Sequence, residues 1–185
     1  MSAAPAPIDT ARLRLVPLAA HHVTPRYVAW LNDPEVMRFS RHRHRTHTLA
    51  SVRDYVQSFE GSDNRLWAIE LREAPGTHLG NINATIDAPN GVGDVGILLG
   101  ERAFWGRGFG REAWTAVCRY LLDDLGLRKV TGGTVATNVG MLAVMRAAGM
   151  REDGVRVRQE LVDGREIDLI HMALFRTPLP DRLNR

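Results

Sequence analysis

The sequence predicts one α/β domain of the α+β kind: a mixed, mostly antiparallel sheet of seven strands with helices on both faces. Three observations carry this. Val95-Gly96-Ile97-Leu98-Leu99 has strand character and runs straight into a glycine-rich turn. A helix follows, with Phe109, Ala113, Val117, Tyr120, Leu121 and Leu125 at three- and four-residue steps. Between Leu66 and Leu99, three strand patterns are joined by connections too short for parallel crossovers, so they form an antiparallel meander. Further on, two runs flank Asp163-Gly164, a strong hairpin signal.

Each element has its own signal. Met1-Ser-Ala-Ala-Pro-Ala-Pro lacks a basic start and an apolar stretch, so residues 1–7 read as a short disordered tail and not as a signal peptide. Arg12–Leu18 alternates and is the first strand. His21–Leu31 carries helical spacing in Val23, Tyr27, Trp30 and Leu31, and Asn32-Asp33-Pro34 ends it. Glu35–Phe39 is a short turn or helix. Arg41-His-Arg-His-Arg-Thr-His47 alternates basic residues and reads as an extended, exposed loop. Thr48 caps a helix through Phe59. Leu66–Leu71 and His78–Asp87 are strands separated by a turn at Ala74-Pro-Gly-Thr77, and Pro89–Gly93 turns the chain into Asp94–Leu99. Gly126 stops the central helix. Lys129–Val135 is the fifth strand. Val139–Ala148 is a helix whose Met141, Leu142, Met145 and Ala148 face the core, and Gly149 ends it. Val155–Val162 and Glu166–Phe175 form the hairpin, and 177–185 is a frayed tail. The domain therefore spans 8–176.

Composition excludes several classes. With 185 residues, 44% hydrophobic and 24% charged, the chain has the make-up of one globular domain. No apolar run approaches the ~20 residues of a membrane span. The single cysteine, Cys118, fits a reducing cytoplasm. A net charge of +3 suits anionic ligands but is too small for a nucleic-acid protein. His42, His44 and His47 have no carboxylate or cysteine at metal-ligand spacing, so no metal is expected.

The strand, glycine loop and helix leave backbone N–H groups open to an anion at the positive end of a helix dipole. A phosphate-loop NTPase would need Lys-Ser/Thr after the glycines, and none follows. A dinucleotide fingerprint would accept Ala113 at its third position, but Asp123 and Asp124 come too early for its acidic residue. A coenzyme A pyrophosphate and a ligand-free turn remain.

The run Asp94-Val-Gly-Ile, then Phe104-Trp-Gly-Arg-Gly-Phe-Gly-Arg-Glu-Ala113, resembles motif A of the GNAT N-acetyltransferase superfamily, and within it the branch of ribosomal-protein N-terminal acetyltransferases. Asn138…Gly149-Met150 and Thr10-Ala-Arg-Leu-Arg-Leu-Val-Pro-Leu18 resemble two further family segments. The resemblance implies that strands 4 and 5 splay apart to admit the pantetheine arm of acetyl-CoA. It implies cofactor contacts at Ile97, Leu98, Leu99, Trp105, Gly106, Arg107, Gly108, Phe109, Gly110, Arg111, Asn138, Met141 and Arg146. It points to acceptor contacts at Trp30, Asn32, Arg41, His42 and Arg43. Asp94 stands at the family's acidic position and is the candidate base, with Asn138 binding pantetheine or orienting a water. The family's serine and tyrosine positions fall on Met141 and Met145, which cannot donate a proton. Cys118, mid-helix, reads as core and not as an acetyl carrier.

The expected activity is direct acetyl transfer from acetyl-CoA to a primary amine of a small molecule such as an amino sugar or nucleotide sugar. A protein N-terminus is the alternative acceptor, and a non-catalytic acyl-CoA binding module is the alternative of another class. The expected assembly is a monomer or homodimer.

Overall fold

The computed structural model describes residues 5–177. Its strands are β1 (Ile8–Asp9), β2 (Leu13–Pro17), β3 (Arg65–Leu71), β4 (Ala74–Asp87), β5 (Val92–Leu99), β6 (Lys129–Val135), β7 (Arg151–Val162) and β8 (Arg165–Phe175). Its helices are α1 (Pro25–Asn32), α2 (Pro34–Met37), α3 (Leu49–Gln57), α4 (Phe109–Arg119) and α5 (Val139–Ala147). The strands form one sheet in the order β1-β2-β3-β4-β5-β6-β8-β7. Every neighbouring pair is antiparallel except β5 and β6.

That one parallel pair is short. Val92, Gly93 and Asp94 face Lys129, Val130 and Thr131, and there the pairing ends. Val95–Leu99 and Gly132–Val135 run on without a shared ladder, so the sheet forks. Trp114 of α4 fills the base of the fork. A Cβ on Gly132 would stand 2.7 Å from its ring and 3.3 Å from the Val95 carbonyl oxygen. The predicted splay of the fourth and fifth strands is thus present, with β5 and β6 as its arms.

Alternation assigns the two faces. Leu13, Leu15, Trp67, Ile69, Ile82, Val95 and Met172 meet Ala113, Trp114, Val117 and Leu121 on the α4 side and Leu142 and Met145 of α5. On the other face Leu66, Ala68 and Leu98 meet Tyr27, Trp30, Val52 and Val56 of α1 and α3. Beside them, Phe39 joins Val135, Val162, Ile167 and Leu169.

Several boundaries differ from the sequence reading, each for a definite physical reason. The described residues hold eight strands and not seven, because Ile8–Asp9 adds a two-residue edge. Helix α1 starts at Pro25 and not at His21. Thr24 accepts from the Tyr27 N–H, and proline fits a first turn whose N–H needs no partner. The reversal expected at Ala74–Thr77 occurs at Arg72-Glu73, and Ala74–Thr77 belongs to β4. The register slips around Glu70, whose carboxylate accepts from the Gly76 N–H at 3.1 Å. The Arg41–Arg45 stretch is a series of turns and not an extended loop, with Arg43 N–H bonded to Ser40 O and Arg45 N–H to His42 O. Strand β7 begins four residues before the expected Val155. The central helix reaches its predicted end through a widened turn at Tyr120–Asp124, where the Leu125 N–H bonds Tyr120 O. Residues 1–4 of the expected N-terminal tail and 178–185 of the C-terminal one lie outside the described residues.

Candidate active site

Gly108 caps α4 with φ +81°, and Gly106 has φ +69°. Both sit in the left-handed region that glycine adopts without strain. The first N–H groups of α4, on Phe109, Gly110 and Arg111, therefore point out of the helix end beside a loop without β-carbons. A Cβ on Gly106 or Gly110 would meet nothing within 4 Å, so the protein itself leaves this space open. Arg107 lies over Phe104 and Phe109, with its guanidinium 5.2 and 5.6 Å from the two rings. Helix dipole, bare backbone and guanidinium groups together suit a phosphate.

Three residues that sequence reasoning left without a role hold this loop. Arg12 donates from Nε to Glu112 Oε2 at 2.7 Å and from Nη1 to the Arg107 carbonyl at 3.0 Å. Its guanidinium carbon also lies 4.1 Å from the Phe109 ring centroid. Thr10 donates to Glu112 Oε1 at 2.6 Å. Burial raises the Glu112 carboxyl pKa, but hydrogen bonds from Thr10 and Arg12 outweigh it and hold the group below its usual value. This carboxylate stabilises the fold above its unfolded pKa, and that contribution is lost as pH falls through the folded one. The signal was visible in the Thr10-Ala-Arg12 opening, but nothing local tied it to a helix a hundred residues away.

Trp105 joins the loop to the fork. Its indole donates to the Leu99 carbonyl at 2.7 Å. Alternate residues of Val95–Leu99 direct their backbone groups toward the gap, where β6 no longer pairs with them. Ile97 and Leu99 pack toward the α4 side and Leu98 toward α1 and α3.

At the foot of the fork Asp94 is exposed and accepts from the Thr131 hydroxyl at 2.5 Å. Asn138 caps α5: its Oδ1 accepts from the Met141 N–H at 3.2 Å and its amide donates to Thr134 Oγ1 at 3.0 Å. Met145 is fully buried, Met141 packs beside it, and Arg146 is exposed in the last turn of α5.

The sequence-predicted acceptor residues are held by protein contacts. Trp30 is buried, its ring against Gly100. Asn32 pins the basic loop through two bonds with the His47 backbone, both 2.9 Å. Arg41 pairs with Glu160 at 3.0 Å. Arg43 pairs with the same carboxylate at 3.4 Å and donates to the Leu161 carbonyl at 2.6 Å. Burial first, then the charges of Arg45, His47 and Arg41, lower the His42 pKa, so it stays neutral near pH 7. A cavity of about 870 Å³ lies between Asp9–Arg12 and the outer side of α4; no residue of β5 or β6 lines it, so it is not the fork. Among the described residues no cluster suits a metal ion, and no helix is long and apolar enough to cross a membrane.

Comparison with known proteins agrees with this geometry. The chain is 29% identical over 152 residues to an uncharacterised N-acetyltransferase, p20, of Bacillus licheniformis, covering 78% of this chain and 83% of that protein. Its fold superposes with a TM-score of 0.80 on a ribosomal L7/L12 alpha-N-protein acetyltransferase in complex with coenzyme A, at 16% identity, covering 92% of this chain and 98% of that one. The TM-score is again 0.80 for a spermidine N-acetyltransferase of Vibrio cholerae with CoA and spermine, at 16% identity over 90% and 97% of the two chains. The acetyltransferase (GNAT) domain pattern matches residues 12–151, which hold both the glycine loop and the fork; the chain belongs to the GNAT acetyltransferase family and is an acyltransferase.

Proposed function

We propose that this enzyme transfers the acetyl group of acetyl-CoA directly to a primary amine of a small molecule, such as an amino sugar or nucleotide sugar. The observation that carries this reading is the union of an anion-suited loop and an open fork through the Trp105–Leu99 bond. The phosphates are received by the N–H groups of Phe109–Arg111 and by Arg107 and Arg111. The pantetheine arm takes the place of the missing ladder along Val95–Leu99, and a backbone N–H near Leu98–Leu99 polarises the thioester carbonyl.

The small acceptor is favoured by a roof. Arg38 pairs with Asp163 at 3.0 Å, and Arg41 and Arg43 with Glu160, so the α2–α3 loop is tied across to the β7–β8 hairpin. In this reading the tie covers the α1 side of the fork and leaves room for a small amine. Coenzyme A release measured against a panel of amino sugars, nucleotide amino sugars, spermidine and peptides with free N-termini tests it. Turnover of peptides alone would replace this acceptor with a protein N-terminus. No turnover of any amine would remove the transfer reading.

An amine must lose a proton before it attacks. A lysine-like amine at pKa ~10.4 lies about three units above neutrality, whereas an α-amine near 8 lies about one. Asp94 is the carboxylate at the fork and the base in this proposal. Asp94→Asn is expected to lower kcat roughly 10²-fold at pH 7, with the deficit shrinking as the amine deprotonates unaided. With methionine at 141 and 145, the wild-type kcat should rise through a single ionisation and show no falling limb up to about pH 9. A bell-shaped profile would expose an essential acid outside this set.

Cys118 takes no part. It is 1% exposed, and burial pushes its thiol up to about 12, so little thiolate exists at neutral pH. Cys118→Ala should keep most of the activity. An acetylated Cys118 seen by mass spectrometry would reverse the direct-transfer assignment.

A further inference from the structure

Four strands present one row of residues to the sheet face on the side of α1 and α3. Asn83 of β4 stands opposite Gly96 of β5, and Gly133 of β6 stands opposite His171 of β8. Gly96 and Gly133 each lie two residues beyond Asp94 and Thr131, the last parallel pair. Their sequence neighbours confirm the face: Ile82, Val95 and Met172 enter the core under α4, and Gly132 abuts Trp114. The row therefore crosses the fork just where it opens.

The two middle positions have no side chain, and neither glycine has a positive φ. A left-handed backbone does not explain them; what they supply is space. Side chains lean over that space from both banks. Asn83 Oδ1 is 2.8 Å from where a Cβ on Gly96 would stand, and His171 Nδ1 is 3.3 Å from the same point on Gly133. Gly133 is exposed. Among the described residues, two buried polar atoms on this face find no hydrogen-bond partner: Nε2 of His171, and Nδ2 of Asn81 in the next row. Such atoms are rare in folded proteins, and structural needs alone select against them. One row below, Asp94 accepts from Thr131.

We propose that this glycine-floored row is the acceptor subsite, with His171 as its specificity-determining residue. The proposal rests on the acetyl-transfer reading. The carbon bearing the amine lies over Gly96 and Gly133, with the amine turned toward Leu98 and the thioester, and its proton reaches Asp94 through water. His171 Nδ1 and the Asn83 amide hydrogen-bond hydroxyl groups flanking the amine. Two hydrogen-bonding walls and one carboxylate suit a primary amine with a neighbouring hydroxyl, a 2-amino alcohol of the amino-sugar kind. A plain alkylamine offers His171 and Asn83 nothing to pair with.

The test compares glucosamine with cyclohexylamine in the wild type, His171→Leu, His171→Asn and Gly133→Ala, with coenzyme A affinity measured for each. Wild type should prefer glucosamine. His171→Leu should raise the glucosamine KM about 10- to 100-fold, the worth of a hydrogen bond at a desolvated site, and leave cyclohexylamine and coenzyme A affinity unchanged. His171→Asn, whose amide reaches the Nδ1 position, should recover most of the loss. Gly133→Ala places a methyl on the floor and should raise KM for both amines without touching coenzyme A affinity, so the subsite stays testable if the histidine variants fold poorly. A glucosamine KM within threefold of wild type in both His171→Leu and Gly133→Ala would overturn the subsite. So would an equal loss for both amines, or a loss of coenzyme A affinity, in His171→Leu. If the wild type acetylates neither these amines nor any other, the acetyl-transfer reading fails and the subsite falls with it; active wild type with indifferent variants sinks the subsite alone.

Discussion

Gly108→Val is expected to weaken coenzyme A binding at least 10²-fold, about 2.7 kcal/mol, while the protein stays folded. Two effects combine. At φ +81° a β-branched residue is strained by about 1–2 kcal/mol, so the loop shifts from the conformation that aims the α4 N–H groups outward. The added Cβ would also stand 3.4 Å from Arg12 Nη2 and 3.8 Å from Arg111 Nη2, between the two guanidinium groups beside the proposed phosphate position. The fold should survive because no core side chain touches this position. Calorimetry with coenzyme A, beside a denaturant melt, reads both quantities. Wild-type affinity in soluble mutant protein would remove the phosphate from this loop.

Trp114→Ala is expected to destabilise the fold by about 3–5 kcal/mol, the usual range for emptying a fully buried large aromatic. Trp114 is 1% exposed, donates to Met150 Sδ at 3.3 Å and underlies the point where β5 and β6 part. Its removal leaves a cavity beneath the fork as well as a weaker core, so coenzyme A affinity should fall with stability. Gly132→Ala approaches the same contact from the strand. Its methyl would stand 2.7 Å from the ring, and overpacking of this kind costs about 1–3 kcal/mol. Urea unfolding of both variants measures the effect. A loss below about 1 kcal/mol for Trp114→Ala would mean that the fork does not depend on this ring.

Much of the architecture is legible in the sequence. Thr48 and Gly126 marked helix ends because capping is chemistry within a few residues of one another. Asp163-Gly164 marked its hairpin for the same reason, both residues having positive φ. Two of the differences arose where a group outside the stretch decided its conformation. Ala74-Pro-Gly-Thr77 looks like a turn, yet Glu70 and its bond to the Gly76 N–H draw it into β4. The Arg41–Arg45 loop looks free, yet Glu160, more than a hundred residues on, gathers two of its arginines.

Backbone preference and apolar spacing over short stretches were enough for the strand–glycine loop–helix unit and for most of the element order, and the family followed from the likeness of the glycine-loop motif. Where β5 and β6 part, how Arg12 and Glu112 clasp the loop, and the sharing of one row by Asn83, Gly96, Gly133 and His171 emerge only from the folded sheet. Those facts follow from strand register and from side chains packed across the sheet. Register is a property of paired strands, and no single stretch of chain carries it.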